Sequence, residues 1–106
     1  MDKYIEAEIQ IGRSLGYLAV QRNKNGRVIG YEKQTGKLKL LPRWSRNNAD
    51  AFSLMVEHGI EPSFHDEAIF PLDNWVPFKY ADHPDKETTV RYAIVQAVIA
   101  KLSNQA

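Results

Sequence analysis

The sequence predicts an α+β domain in which a small antiparallel meander is sandwiched by about three helices. Three observations point there. Apolar residues at helical spacing, flanked by capping residues, open and close the chain; between them, Tyr17 to Leu41 changes to strand-like runs punctuated by two turn signals; and a second capped apolar segment follows Pro42. A length of 106 residues fits one domain spanning 1–106, large enough to bury a single core without covalent staples.

Asp2 to Gly16 carries two periodicities. Ile5, Ala7, Ile9 and Ile11 alternate as a half-buried strand would, whereas Tyr4, Ala7, Ile11 and Leu15 share one helical face. Asp2 is placed to cap a helix and Gly16 suits the left-handed position beyond its end, so the reading favours helix. Two strands follow around Asn23-Lys-Asn-Gly26, where Asn25-Gly26 suits both central positions of a tight hairpin turn. Gln34-Thr-Gly36 then leads into Lys37-Leu-Lys-Leu-Leu41, a strand ended by Pro42. Its alternation predicts Leu38 and Leu40 facing the core and Lys37 and Lys39 facing water.

Asn47 or Asn48 caps a second helix running to about His58 and stopped by Gly59, with Ala49, Phe52, Met55 and Val56 on one face. Ile60 to Phe64 reads as a short strand, His65-Asp-Glu67 as a turn and Ala68-Ile-Phe70 as a brief return strand. Trp75 to Tyr80 is a further strand that Pro77 confines to an edge or a bulge. After a polar connection from Ala81 to Lys86, a last helix runs from about Glu87 or Thr88 to Leu102. Beyond Val90 its clearly polar side chains are Arg91, Gln96 and Lys101, which drift around the helix instead of forming one wet face. Such a helix is mostly buried, in this domain or against a second copy, and so implies a possible homodimer.

Composition narrows the function classes. The chain has no cysteine, which excludes disulfides, thiolate metal ligands and a thiol nucleophile. No apolar run reaches the roughly 20 residues of a membrane span, and the acidic N-terminal decapeptide lacks the apolar core of a signal peptide. The expectation is a cytoplasmic protein without membrane association. The net charge of +1 conceals a strong asymmetry: residues 22–46 hold eight basic side chains against one acidic, residues 47–106 four against nine. The basic segment therefore supplies the candidate partner-binding residues: Arg22, Lys24, Arg27, Lys33, Lys37, Lys39, Arg43 and Arg46, together with Trp44, which with Trp75 and Phe78 reads first as a core plug and second as part of an aromatic surface for a partner. An acidic protein partner or self-association is one reading and plain solubility, with lysines guarding strand edges, another of equal standing; phosphate contacts with Tyr17, Tyr31 or Trp44 stacking on bases come after them.

From Arg43 onward the chain resembles a phage family. Trp44-Ser-Arg-Asn-Asn-Ala-Asp-Ala-Phe52, with a helix ending at His58-Gly-Ile60, is similar to the "NNPADAW…ENGI" segment of NinX-type proteins from the nin region of lambdoid phages. Arg91-Tyr-Ala-Ile-Val-Gln-Ala-Val-Ile-Ala100 is similar to that family's final "RAAMIVF" helix, and the first helix ending Leu15-Gly-Tyr17 to the pattern of the broader phage ABA-sandwich domain. This sequence has Phe52 where the family often has Trp and lacks the proline of the Asn-Asn-Ala segment. The resemblance implies a phage or prophage accessory protein with helices on both faces of an antiparallel sheet, and it carries no catalytic residue.

The chemistry-bearing residues point away from an enzyme. His58, His65 and His83 with Asp66, Glu67 and Asp85 contain the ligand types of a metal site, but three consecutive residues of a strand cannot all point one way. The acids Asp66, Glu67, Asp73, Asp82 and Asp85 have no flanking motif that pairs two of them, the serines lack a nucleophile elbow, and no glycine run ends in the Gly-Lys-Ser/Thr of a phosphate loop. No catalytic residue, metal or cofactor is therefore expected. The working reading is a non-enzymatic protein that binds a host or phage macromolecule; a small-molecule site in the 65–85 loops is the remaining alternative.

Overall fold

The computed structural model describes residues 2–72 and 75–104. Helix α1 spans Lys3–Ser14: the Asp2 carboxylate accepts from the Tyr4 amide at its start, and Gly16 adopts φ 99° just beyond its end. Strands β1 (Leu18–Arg22), β2 (Val28–Tyr31) and β3 (Leu38–Leu40) form an antiparallel sheet in that order. Helix α2 (Asn48–Glu57) is capped by the Asn47 side chain, which accepts from the Asp50 amide. Strands β4 (Ser63–Phe64), β5 (Ala68–Phe70) and β6 (Phe78–Lys79) make a second three-stranded antiparallel sheet, and Pro77 stands at the start of edge strand β6. A 3-10 turn, Tyr80–Asp82, leads to helix α3 (Lys86–Ser103), whose Asp85 cap accepts from the Thr88 amide.

Helix α3 is the centre. Ala93, Ile94, Val95, Ala97, Val98 and Ile99 are all buried, and the helix meets α1, α2 and the second sheet. Most of its apolar surface is thus buried inside one chain, while half-buried Val90 remains beside an open groove. The core continues through Ile5, Ala7 and Ile11 of α1, Ala51 and Leu54 of α2, and Leu41, Trp44 and Ile60.

The α+β class is as expected, and four details differ from the expectation. The first sheet has α1 on one face only; on the other, Leu18, Tyr31, Leu38 and Leu40 are exposed, so helices do not cover both sides. Leu38 and Leu40 therefore face water, not the core. Alternation separates the two sides of a strand without saying which side receives the helix. On the α1 side the packing is close over glycine: a Cβ on Gly12 of α1 would lie 2.8 Å from Leu41 Cδ1, and one on Gly30 of β2 would lie 3.2 Å from Tyr17 Cβ, in the segment joining α1 to β1, and 3.3 Å from Val20 Cγ2. Gly30 pairs with Lys39, so the α1 side takes the lysine register. In α2 the buried stripe is Ala51 and Leu54 with Met55, while Phe52 and Val56 are exposed; two apolar stripes run along this helix and α3 covers one. Finally, the β1–β2 turn has positive φ at Gly26 alone. Asn23 organises it by accepting from the Asn25 and Arg27 amides through its side chain and from Gly26 through its carbonyl.

Candidate interaction surface

The cations of residues 22–46 separate into two groups. Arg46 is structural. Its Nε and Nη2 donate to both oxygens of Glu8, at 2.9 and 2.8 Å, and Glu8 is fully buried. The Ser45 hydroxyl and amide also donate to Glu8 Oε2, and Arg46 Nη1 donates to the Gly26 carbonyl. This two-pronged ion pair raises the Arg46 pKa, with hydrogen bonding to Glu8 the main cause. Arg27 is likewise committed, with Nε and Nη2 donating to the Leu41 carbonyl at 3.2 and 3.0 Å. Trp44 is a core side chain, 5% exposed. Those three leave the candidate set.

Lys39 is exposed and sits 3.1 Å from Glu32, whose carboxyl is held below the usual range by hydrogen bonds first from Lys39 and then from Thr35. Arg22, Lys24, Lys33, Lys37 and Arg43 are exposed. They follow the ends and rim of the first sheet. Its open face is apolar instead: Leu18, Tyr31 and Leu38 stand opposite one another across the three strands, beside a second row of Ile29 and Leu40. Leu18, Tyr31, Leu38 and Leu40 are 50%, 39%, 55% and 61% exposed.

The two edges of this sheet differ. Strand β1 is broken by a bulge between Leu18 and Gln21, where Ala19 takes φ 49° and Arg13 Nη2 donates to the Val20 carbonyl. Strand β3 is unbroken. Glu32 donates to the Lys37 carbonyl and Leu41 to the Val28 carbonyl, so Lys37, Lys39 and Leu41 turn their backbone groups toward β2. Leu38 and Leu40 then turn theirs outward, because bonded and non-bonded pairs alternate along an antiparallel ladder.

One cleft adjoins this region and another lies apart from it, between α2 and α3. The first, of about 540 Å³, lies between the β2–β3 turn and α2, with Tyr17, Lys33, Trp44, Asp50 and Glu57 in its lining. The second, of about 530 Å³, is an apolar groove lined by Phe52, Met55, Pro62, Phe64, Val90 and Ile94.

The residues named for other chemistry are dispersed. His65 is exposed beside the Ser63 hydroxyl, and His58 ends α2, where its carbonyl accepts from Lys101. His83 lies in an aromatic cluster: the Tyr4 hydroxyl is 2.7 Å from its Nδ1, and its ring is 5.3 Å from that of Tyr92. Desolvation first, then the Lys3 charge, lowers the His83 pKa, while desolvation followed by Asp2 raises that of Tyr4, which stays a hydroxyl donor. No group of three or more metal-ligating side chains gathers among the described residues. Asp66, Glu67 and Asp82 are exposed, Asp85 caps α3, and Asp73 lies outside the described residues. No helix among the described residues is long and apolar enough to cross a membrane.

Sequence reasoning missed Glu8 and the Leu38–Leu40 edge. Glu8 had a signal: it sits between Ile5, Ile11 and Gly12 on the buried arc of α1, where a carboxylate demands a cationic partner. No protein-family model, curated protein or solved structure matches the chain.

Proposed function

We propose that this protein acts without catalysis, by binding a macromolecule of mixed apolar and acidic character on the open face and outer edge of its first sheet. The observation that carries the reading is the row of exposed Leu18, Tyr31, Leu38 and Leu40, rimmed by the exposed Arg22, Lys24, Lys33, Lys37 and Arg43, whose side chains have no ion-pair partner among the described residues. Large apolar side chains gathered on one face of a small domain mark a contact surface. Their basic rim favours an acidic partner and speeds its encounter. The likeness of Trp44–Phe52 and of Arg91–Ala100 to NinX-type segments supports a phage or prophage accessory protein working in the bacterial cytoplasm on a host or phage protein.

The test uses immobilised protein in bacterial lysate, read by mass spectrometry. Two variants are compared with the wild type: Arg22, Lys24, Lys33 and Lys37 all changed to Glu, and Leu38→Ser with Leu40→Ser. Circular dichroism first confirms that both fold. Proteins held by the wild type and released by both variants support the proposal. Identical capture by all three forms refutes it, and capture that nuclease abolishes transfers the surface to nucleic acid.

A further inference from the structure

We infer that β3 is a strand-addition site: its outer edge takes up an extended acidic segment as a fourth, antiparallel strand alternating apolar and acidic residues. The inference rests on the binding reading above and specifies its geometry. Three features of the edge lead to it.

The first is hydrogen bonding. Leu38 and Leu40 direct their amides and carbonyls away from β2, and both residues are exposed. An edge with free backbone groups at every second residue is a template for another strand. The opposite edge is closed by the Ala19 bulge and by Arg13 on the Val20 carbonyl, so the sheet offers one side.

The second is the side-chain code. Directly opposite residues of an antiparallel pair share a face. An incoming residue facing Leu38 or Leu40 extends the apolar row that includes Tyr31, and must be apolar. The residues between them face Lys37 and Lys39 and are best acidic. The third feature is selectivity: lysines on an edge repel basic strands and discourage indiscriminate pairing. A second copy of β3 would set Lys37 and Lys39 against their own kind, which disfavours self-pairing. The edge therefore selects for an acidic strand.

The probe is a fluorescein-labelled seven-residue peptide alternating glutamate and valine, titrated with the protein and followed by anisotropy. In the antiparallel arrangement the valine amides point at β3 and the glutamate amides point away. N-methylation of the valines is expected to weaken binding by about tenfold or more, the loss of two hydrogen bonds, whereas N-methylation of the glutamates leaves it within about threefold. On the protein side, Leu40→Pro removes an amide that the ladder with β2 does not use and keeps Lys39 extended, so the fold survives while peptide binding falls by a similar factor.

Equal binding of both methylated peptides, or no binding of any peptide, overturns the inference, and the peptide series on the wild-type protein decides it even if the proline variant fails to fold. A dimer seen by light scattering and dissolved by Leu40→Pro assigns the edge to a second copy and also overturns it. If lysate capture survives Leu40→Pro but not the cation reversal, strand addition fails while the binding surface stands. If capture survives both, the binding reading itself fails.

Discussion

Arg46→Ala tests the energetic centre of the fold. The substitution leaves the Glu8 carboxylate, which has no exposed surface, with only the Ser45 hydroxyl and amide as donors. Breaking a buried pair by removing one partner costs about 3–5 kcal/mol. The Arg46 side chain is 30% exposed, so water reaches one end of the pair and places the expected loss near the lower figure, about 3 kcal/mol. With a urea slope of roughly 1.5 kcal/mol/M for a domain of this size, the unfolding midpoint falls by about 2 M. Urea titration followed by circular dichroism and by the fluorescence of buried Trp44 reads the shift. The companion variant, Glu8→Leu with Arg46→Met, removes both charges and is expected to recover most of the loss, because the cost lies in the orphaned carboxylate. A single variant within about 0.5 kcal/mol of the wild type refutes the reasoning, since that is the ordinary effect of a surface substitution. A double variant as unstable as the single one refutes it equally.

Three further outcomes follow from local geometry. Ala19→Gly is expected to stabilise by about 0.5–1 kcal/mol in the same titration, because φ 49° burdens a residue with a Cβ and not glycine; a loss of stability contradicts the bulge geometry. Gly12→Ala places a methyl 2.8 Å from Leu41 Cδ1 and 3.2 Å from Val20 Cγ1; overpacking of about 1–3 kcal/mol, less a helix-propensity gain of about 0.5–1 kcal/mol, leaves an expected net loss of about 0.5–2 kcal/mol, read as a lower midpoint; a gain in stability refutes the close approach. His83 has its pKa lowered in the folded state, so the unfolded chain binds the proton more readily. Its stabilising contribution is complete above the ordinary histidine pKa of about 6.5 and is lost as pH falls from there through the folded value. His83→Gln is expected to flatten the stability profile over that interval, and an unchanged profile removes His83 as its cause.

What was legible in the sequence was local. Asp2, Asn47 and Asp85 cap helices because a side-chain oxygen reaches an amide two or three residues ahead, a relation written within one turn of chain. Gly16 and Gly59 mark helix ends just as locally, because their φ of 99° and 65° suits a residue without a Cβ. The strands of the meander were legible from their period, but not which side of the sheet is wet. That was decided by packing between distant residues: α1 lies over β1 and β2, where Gly12 leaves room for Leu41 and Val20 and Gly30 for Tyr17 and Val20, and Lys39 pairs with Gly30 on that side. The candidate surface was legible as a segment and not as a pattern. Arg46 meets Glu8 across 38 residues of sequence and Arg27 reaches Leu41, so two of the predicted cations serve the interior while two predicted core leucines serve the surface. The second sheet, with strands of two or three residues, is too short to show a period and was recognisable mainly from its turns.

The central position of α3 has a consequence for biosynthesis. It is the last of these elements to leave the ribosome, yet α1, α2 and the second sheet all rest on it. Until it emerges, Ile5, Ile11, Leu54 and Ile69 have no complete surface to settle against, so the nascent chain waits as a loose collection of hairpins and turns. Acquisition of structure is thereby tied to completion of synthesis through this helix, and a ribosome stalled before Lys86 holds a chain exposed to chaperones and proteases.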